Sequence, residues 1–506
     1  MSSSYNNIVG TDTADQLTAS GSGDSITALA GNDTLTGFGG NDIADLGAGN
    51  DTVVTGTASD GASLLAGAGN DSLHITTTAV SSTVDAGAGN DTIYITTVGA
   101  GNSIVGGLGA DTIYLKDAIE STSVYGNAGS AGTLDGADTI YISGTASASY
   151  VSAGAGSDSL YIKGNVTGST AYGGRGNDTL NIAGGLSDSS AVFGDLGKDS
   201  LYIKGAVNGS SVYGNNGASA TNDGADTIYI SGTASSAKIS AGAANDTIVI
   251  TDDLKNSSVY AGAGADTFSG KSATSSYVAG NKGADTITFS AGLVGSSVYG
   301  AGAAITTDDG SDSLSVTGEV SSSFIQGNGG NDTLRLEDEL DSSTAKGGAG
   351  SDSIRVAGIA SASEAAGNKG GDTLNFRAAV NSSTIYGGSS ADTTNDGADS
   401  IVLAGEVSKS IVKGNAGNDT FDFTQGTVDL KQSSVYGGAG TDLISTDGAV
   451  NTSYLAGNKG ADTIIIGAAT NETTLYGAGA GVTTEDGSDS LVFGGTVASS
   501  TLQGNG

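Results

Sequence analysis

Apolar positions in this chain fall in short alternating runs rather than in helical stripes. Asp91 is followed by Thr-Ile93-Tyr94-Ile95, Asp158 by Ser-Leu160-Tyr161-Ile162 and Asp332 by Thr-Leu334-Arg335-Leu336. The second and fourth residues after each Asp are apolar and the third varies, which is the period of a strand with one buried face. A second strand is predicted ahead of each Asp, where an apolar residue stands seven positions earlier (Val151, Val259, Val278) beside a tyrosine (Tyr150, Tyr260, Tyr277). Two such strands per turn, stacked in parallel, predict an all-β fold: a parallel β-roll or β-solenoid with a thin core of Ile, Leu, Val and Ala.

The Asp that punctuates these runs recurs in two rhythms. Asp15, Asp24, Asp33, Asp42 and Asp51 are nine residues apart; from there the step is about twenty, through Asp71, Asp91 and Asp111. The column continues through Asp138, Asp158, Asp178, Asp199, Asp226, Asp246, Asp266, Asp285, Asp312, Asp332, Asp352, Asp372, Asp399, Asp419, Asp442, Asp462 and Asp489. If each nonapeptide is half a turn, Asp15, Asp33 and Asp51 share an edge with all the later members, and Asp24 and Asp42 lie on the opposite edge. Two regions follow: residues 1–51 with motifs on both edges, and residues 52–506 with motifs on one edge. The second edge then reads as Gly, Ser and Thr with no regular carboxylate, as in TTVGAGNS and KGNVTGST.

Every fourth turn is about seven residues longer and ends in an acidic loop: TLDGAD, TNDGAD, TDDGSD, TNDGAD and TEDGSD precede Asp138, Asp226, Asp312, Asp399 and Asp489. The same turns carry Tyr125, Tyr213, Tyr299, Tyr386 and Tyr476, so four turns form a larger repeat. Lys282, Lys369 and Lys459 stand three residues before their Asp, and the next turn places Asp309, Asp396 and Asp486 in that column, an arrangement suited to ion pairs worth about 0 to 1 kcal/mol.

Composition rules out an ordinary globule. The chain has 506 residues with 86 Gly and no Pro, Cys or Trp, yet 37% of residues are hydrophobic and periodically placed, which argues against disorder. A formal charge of −36 repels nucleic acid and anionic membranes and attracts cations. The first residues lack a cationic and an apolar region of a signal peptide, and no run of about 18 apolar residues occurs, so neither membrane insertion nor an N-terminal export signal is expected.

The chemistry of the motif points to calcium. Glycines let the backbone turn with carbonyl oxygens facing the loop, the Asp adds an anionic oxygen, and stacking repeats the loop every 4.7 to 4.9 Å or so. A cation between successive loops can then draw oxygens from both, and calcium accepts six to eight such ligands with loose geometry where magnesium demands a strict octahedron. Roughly 18 divalent ions would cancel the formal charge at +2 each, and one ion per adjacent pair of the 25 motif loops gives a similar count, about 20 Ca2+. Without them the stacked carboxylates repel, so the metal-free chain is expected to be largely disordered and to fold on binding calcium.

The unit G-x-G-x-D-x-U resembles the RTX, or hemolysin-type, calcium-binding nonapeptide across nearly the whole chain, and the chain is most similar in kind to repeat-only bacterial S-layer and oscillin-like surface proteins. That resemblance implies secretion to the cell surface by the type I route without an N-terminal signal, and a structural coat of S-layer, sheath or filament type. Partners implied are further copies of the chain, side by side or end to end, and cell-surface polysaccharide. No enzymatic activity is expected: one histidine, His74, stands in the outward tyrosine column, and neither H-E-x-x-H, a Cys-His pair nor G-x-S-x-G occurs.

Two alternatives remain in view. An RTX adhesin or ice-binding rod would have similar turns, but the ordered Thr array of ice-binding rolls is replaced by Ala48, Ala68, Ala88, Leu108, Arg175 and Lys282. A repeat block of a larger toxin or enzyme would need further domains. Met1 argues against loss at the start, while the close at Leu502-Gln-Gly-Asn-Gly506, a residue or two short of another Asp, leaves that end open.

Overall fold

The computed structural model describes residues 5–504 except 22, 56–59, 77–79, 128–134, 216–222, 303–309, 390–395 and 480–486. The chain divides into two compact units, Met1–Asp252 and Asp253–Gly506. Each is a parallel β-solenoid, and among the described residues there is no helix. No helix is therefore long and apolar enough to cross a membrane.

In both units the chain coils by the same rule. A strand of up to six residues, such as Thr83–Ala88, runs into the Asp loop, and a four-residue strand, Thr92–Ile95, leaves it. Each strand pairs in parallel with its counterpart one turn on, Thr92↔Thr112 through Ile95↔Leu115 in the first unit and Thr333↔Ser353 through Leu336↔Val356 in the second. The alternation read from the sequence is the alternation observed. Ile93, Ile95, Leu334 and Leu336 are buried, while Thr92 and Thr333 are exposed.

From Ile119–Glu120 onward the turn also contains a third, two-residue strand, which adds a narrow sheet to the two expected. Its inward residue (Ile119, Ala146, Val166, Leu186, Val207) closes the core on the edge away from the Asp loop. After it the backbone kinks through a left-handed residue such as Ser121 (φ 49°), Ala148 (47°) or Ser342 (48°) before the next long strand begins. Non-glycine residues are strained there, so neighbouring bonds must hold the kink in place.

The core of the second unit holds larger side chains, including Phe268, Phe289, Phe376, Phe421 and Phe423. Gly270 lies across the ladder from Phe289, where a Cβ would meet the rings of both Phe268 and Phe289. On the outer faces the tyrosines stack along the axis. In the first unit Tyr94, Tyr114, Tyr141 and Tyr161 stack with ring centroids 4.8 to 5.2 Å apart and planes nearly parallel, with His74 edge-on to Tyr94 at 4.8 Å. The outward tyrosine column is thus one of ring stacking.

Candidate metal centres

The geometry of the Asp loop explains its glycines. Two residues before the Asp, Gly49, Gly69, Gly89 and Gly109 have φ of 129° to 146°, and a Cβ on any of them would land on the carbonyl oxygen of the same glycine one turn back. Four residues before, Gly47, Gly67, Gly87 and Gly107 are constrained in the same two ways. Where this position is not Gly it is often Asn, as at Asn281, Asn328, Asn368, Asn415 and Asn458 with φ of 79° to 87°, because Asn tolerates the left-handed region. Five residues before, a Cβ on Gly173 would lie 2.7 Å from Asp178 Oδ2 and 2.8 Å from the carbonyl oxygen of Gly194 in the next turn. The space between consecutive loops is lined with oxygen.

The motif aspartates stand in register through each unit. In the first, the backbone N–H of Asp15 donates to Oδ1 of Asp33, and the same bond links Asp33 to Asp51 and so on through Asp71, Asp91, Asp111, Asp138, Asp158, Asp178, Asp199, Asp226 and Asp246, at 2.7 to 2.8 Å. In the second it runs from Asp266 through Asp285, Asp312, Asp332, Asp352, Asp372, Asp399, Asp419, Asp442 and Asp462 to Asp489, at 2.7 to 3.0 Å. Asp24 and Asp42 lie on the opposite edge, joined by the same bond at 2.8 Å.

An ionised carboxylate only accepts hydrogen bonds, and this arrangement uses one of its oxygens. The other, Oδ2, is buried with no hydrogen-bond partner in Asp33, Asp51, Asp71, Asp91, Asp111, Asp138, Asp158, Asp178, Asp199, Asp226, Asp352, Asp372, Asp399, Asp419 and Asp442. These side chains are 0 to 3% exposed. Burial, with neighbouring carboxylates adding to it and the backbone N–H donor partly offsetting it, pushes Asp51, Asp71, Asp91 and Asp111 up to about 6. The same causes bring Asp352, Asp372, Asp419 and Asp442 to about 7, Asp178 to about 8 and Asp226 and Asp399 to about 9. Left without a cation, the members at about 7 to 9 hold protons in good part at neutral pH.

Among the described residues no group of three or more His, Cys, Asp or Glu side chains converges on one point. The column supplies one carboxylate per turn, and the remaining oxygens are main-chain carbonyls. A donor set of hard oxygens alone, with buried anionic oxygens that nothing else satisfies, fits calcium and excludes the softer metals held by thiolate or imidazole.

The structure also shows what occupies the other edge beyond Asp42. The register Ile43↔Ser63 and Ser63↔Thr83 puts Asp42, Ala62 and Ser82 in one column, which continues as Asn102, Thr122, Ser149, Ser169 and Ser190. The bond is that of the Asp column: Thr122 N–H donates to Ser149 Oγ, Ser149 to Ser169 and Ser169 to Ser190, at 2.9 to 3.2 Å. In the second unit it links Ser257, Ser276, Ser296, Ser323, Ser343, Ser363, Ser383, Ser410, Ser433, Ser453, Thr473 and Ser500. Each hydroxyl can also donate, Ser343 Oγ lying 2.7 Å from the Asp341 carbonyl and 3.0 Å from that of Val320.

This ladder was not anticipated as such. Its signal is the offset of nine residues between Asp24 and Asp33, which recurs as Ser82 to Asp91 and Ser343 to Asp352. Asp135, Asp223 and Asp396, each three residues ahead of a motif Asp in a long turn, were read as loop acidity or, for Asp396, as a lysine partner, and not as neighbours of the motif column. Much of the long loops, with Asp309 and Asp486 of the expected lysine pairings, lies outside the described residues. Asp396 accepts a hydrogen bond from the Ala416 N–H at 3.0 Å.

A solenoid whose inter-turn gaps present main-chain and carboxylate oxygens along one edge is a calcium roll in its architecture. The model of the RTX calcium-binding nonapeptide repeat matches residues 18–53, 80–94, 97–115, 167–185, 249–273 and 306–339. These stretches include Asp24, Asp33, Asp42, Asp51, Asp91, Asp111, Asp178, Asp266, Asp312 and Asp332. The chain is a β-solenoid carrying RTX calcium-binding repeats. No curated protein matches it. Among solved structures, a hyperactive, Ca2+-dependent, β-helical antifreeze protein from an Antarctic bacterium matches with 21% identity, over 69% of this chain and 82% of that one, at a TM-score of 0.33.

Proposed function

We propose that the chain is a calcium-dependent structural protein of the bacterial cell surface, of the S-layer, sheath or filament kind, which folds and assembles when calcium fills its Asp column. The observation that carries this reading is the column itself: buried carboxylate oxygens without partners recur turn after turn in both units, and the described residues are solenoid throughout. About 20 calcium ions would fill the motif column, one per pair of adjacent loops. The reading is non-enzymatic, since the buried acids are committed to backbone N–H groups of the adjacent turn.

Export to the cell exterior follows from the need for a calcium-rich medium, and the type I route from the RTX resemblance. Self-association is favoured because the terminal turn of any open parallel solenoid presents unpaired strand edges. The test is a calcium titration of the purified chain followed by circular dichroism and electron microscopy. The expected result is a coil-to-β transition in EGTA-to-calcium exchange and ordered polymers in millimolar calcium. Full β-structure in excess EGTA, or particles that stay monomeric at every calcium concentration, would overturn the folding and the assembly parts respectively.

A further inference from the structure

Among the described residues three long turns carry a second carboxylate on the calcium edge, in an arrangement that repeats. In short turns the N–H three residues before the Asp donates to a carbonyl of the preceding turn, as Ala68 does to Gly47. After a long turn that acceptor is replaced by a carboxylate: Ala243 N–H donates to Asp223 Oδ2 at 2.7 Å and Ala416 N–H to Asp396 Oδ2 at 3.0 Å. Asp135 reaches the other way, its Oδ1 receiving the N–H groups of Gly109 and Gly136 at 3.1 and 3.0 Å. Repairing the backbone ladder thus employs one oxygen of each.

The remaining oxygen, Asp135 Oδ2, Asp223 Oδ1 or Asp396 Oδ1, is buried and has no hydrogen-bond partner. The motif residue three positions on, Asp138, Asp226 or Asp399, likewise keeps an unpartnered Oδ2, and these side chains are only 1 to 2% exposed. The two carboxylates hang against consecutive backbone positions. A Cβ on Gly214 would meet Asp226 Oδ2 and one on Gly242, across from Asn215, would meet Asp223 Oδ2; Gly387 and Gly388 stand in the same relation to Asp399 and Asp396. Two buried anions with free oxygens at one loop call for a cation more strongly than one does.

The geometry points to a two-carboxylate calcium site at each of these three long turns, tighter than the one-carboxylate sites between them and filled first. This rests on the calcium reading of the motif column. Affinity for calcium rises with the number of charged ligands, so each fourth turn becomes the place where loading, and with it the ordering of the adjacent short turns, begins.

The test is isothermal titration calorimetry of the full chain with calcium alone, comparing wild type with the triple variant Asp135→Asn, Asp223→Asn, Asp396→Asn. Asn keeps an oxygen to accept the backbone N–H and removes only the charge. Circular dichroism at saturating calcium verifies the fold. Wild type should titrate in two phases, and the triple variant should lose the share of the tight phase that these three turns supply, those sites weakened about tenfold or more, with the weaker phase retained. A control triple at short turns, Asp71→Asn, Asp178→Asn, Asp352→Asn, should lower the number of weaker sites and leave the tight phase in place. Matching isotherms for wild type and the long-turn variant would overturn this inference while leaving calcium binding intact. A wild type that binds no calcium would overturn both.

Discussion

Ser343 and Asp352 stand nine residues apart on opposite edges of one turn and hold the same kind of bond. Each accepts the backbone N–H of its counterpart in the preceding turn, Ser323 N–H to Ser343 Oγ at 3.0 Å and Asp332 N–H to Asp352 Oδ1 at 2.8 Å. The difference lies in what remains after that bond. A hydroxyl has a proton to give, and Ser343 gives it to main-chain carbonyls. A carboxylate has a second oxygen and nothing to donate, so Asp352 Oδ2 stays buried and unsatisfied. One backbone slot is thus closed by a self-sufficient group and opened, on the other edge, to a cation. Residues 24 to 42 show that this edge once carries the same carboxylates, with Asp24 bonded to Asp42.

The comparison is tested most severely by removing calcium and varying pH. Asp51, Asp226 and Asp399 among the motif carboxylates have folded-state pKa values above the ordinary 3.8, between about 6 and 9. The folded chain therefore holds more protons than the unfolded chain between those limits, and metal-free stability must fall as pH rises through them. It is fully present only below the unfolded value and lost above the folded ones. In EGTA the β-signal should be weak at pH 8 and grow on acidification to pH 5. With saturating calcium the order reverses, because protons then compete with the ion. Circular dichroism against pH, with and without EGTA, reads both; equal stability at pH 5 and 8 in EGTA would break the argument.

Moving a carboxylate to the hydroxyl edge should have the next largest effect. In Ser343→Asp the new group can still accept the Ser323 N–H, but its second oxygen faces the carbonyls of Val320 and Asp341, to which the hydroxyl had donated. An uncompensated buried charge costs about 3 to 5 kcal/mol. Calcium should not restore the loss, because the segment Glu-Val-Ser-Ser-Ser-Phe around this edge lacks the paired glycines that turn carbonyls into the gap. Urea unfolding at fixed calcium measures it, and rescue by calcium would show that a carboxylate alone makes a site.

Within the carboxylate edge, truncation and neutralisation should part company. Asp352→Ala leaves the Asp332 N–H without an acceptor and removes a ligand, at a cost of about 1 to 3 kcal/mol in calcium. Asp352→Asn keeps the acceptor, supplies an N–H where Oδ2 had no partner, and deletes a repelling charge. It should be destabilising with calcium present and stabilising in EGTA. A variant that loses stability in both media would mean that the local fold needs the charge itself.

How much of this was legible in the sequence follows from the same chemistry. The Asp column and the strands beside it could be read because Gly, Asp and alternating Ile or Leu have few other reasons to recur together, and the glycines at 47, 49, 67 and 69 are forced by both φ and contact. The Ser column could not be read so easily because Ser serves as well on any exposed turn, and its strands are two residues long, too short to show a period. Its buried state, 4% exposure at Ser343, depends on a kink at Ser342 that no local pattern announces. Asp223 was seen as loop acidity and Asp396 as a partner for a neighbouring lysine; their task, receiving the N–H of the next turn, emerges only where an insertion has displaced a carbonyl.

The smallest effect is also the cleanest separation of the edges. Ser343→Ala removes the acceptor of the Ser323 N–H and two carbonyl contacts, but introduces no charge and no metal dependence. The column itself carries Ala62 and Ala237 in place of a hydroxyl, whereas none of the motif positions after Asp51 carries anything but Asp. Natural tolerance of Ala places the cost at the low end of the range for an orphaned buried N–H, about 1 kcal/mol. That cost should be the same at low and high calcium, since the hydroxyl column around Ser343 offers no anionic oxygen and the core beneath it is unchanged. A urea midpoint that shifts more in EGTA than in calcium would show that the two edges are coupled through the turn, and that the hydroxyl column tightens the carboxylate column it faces.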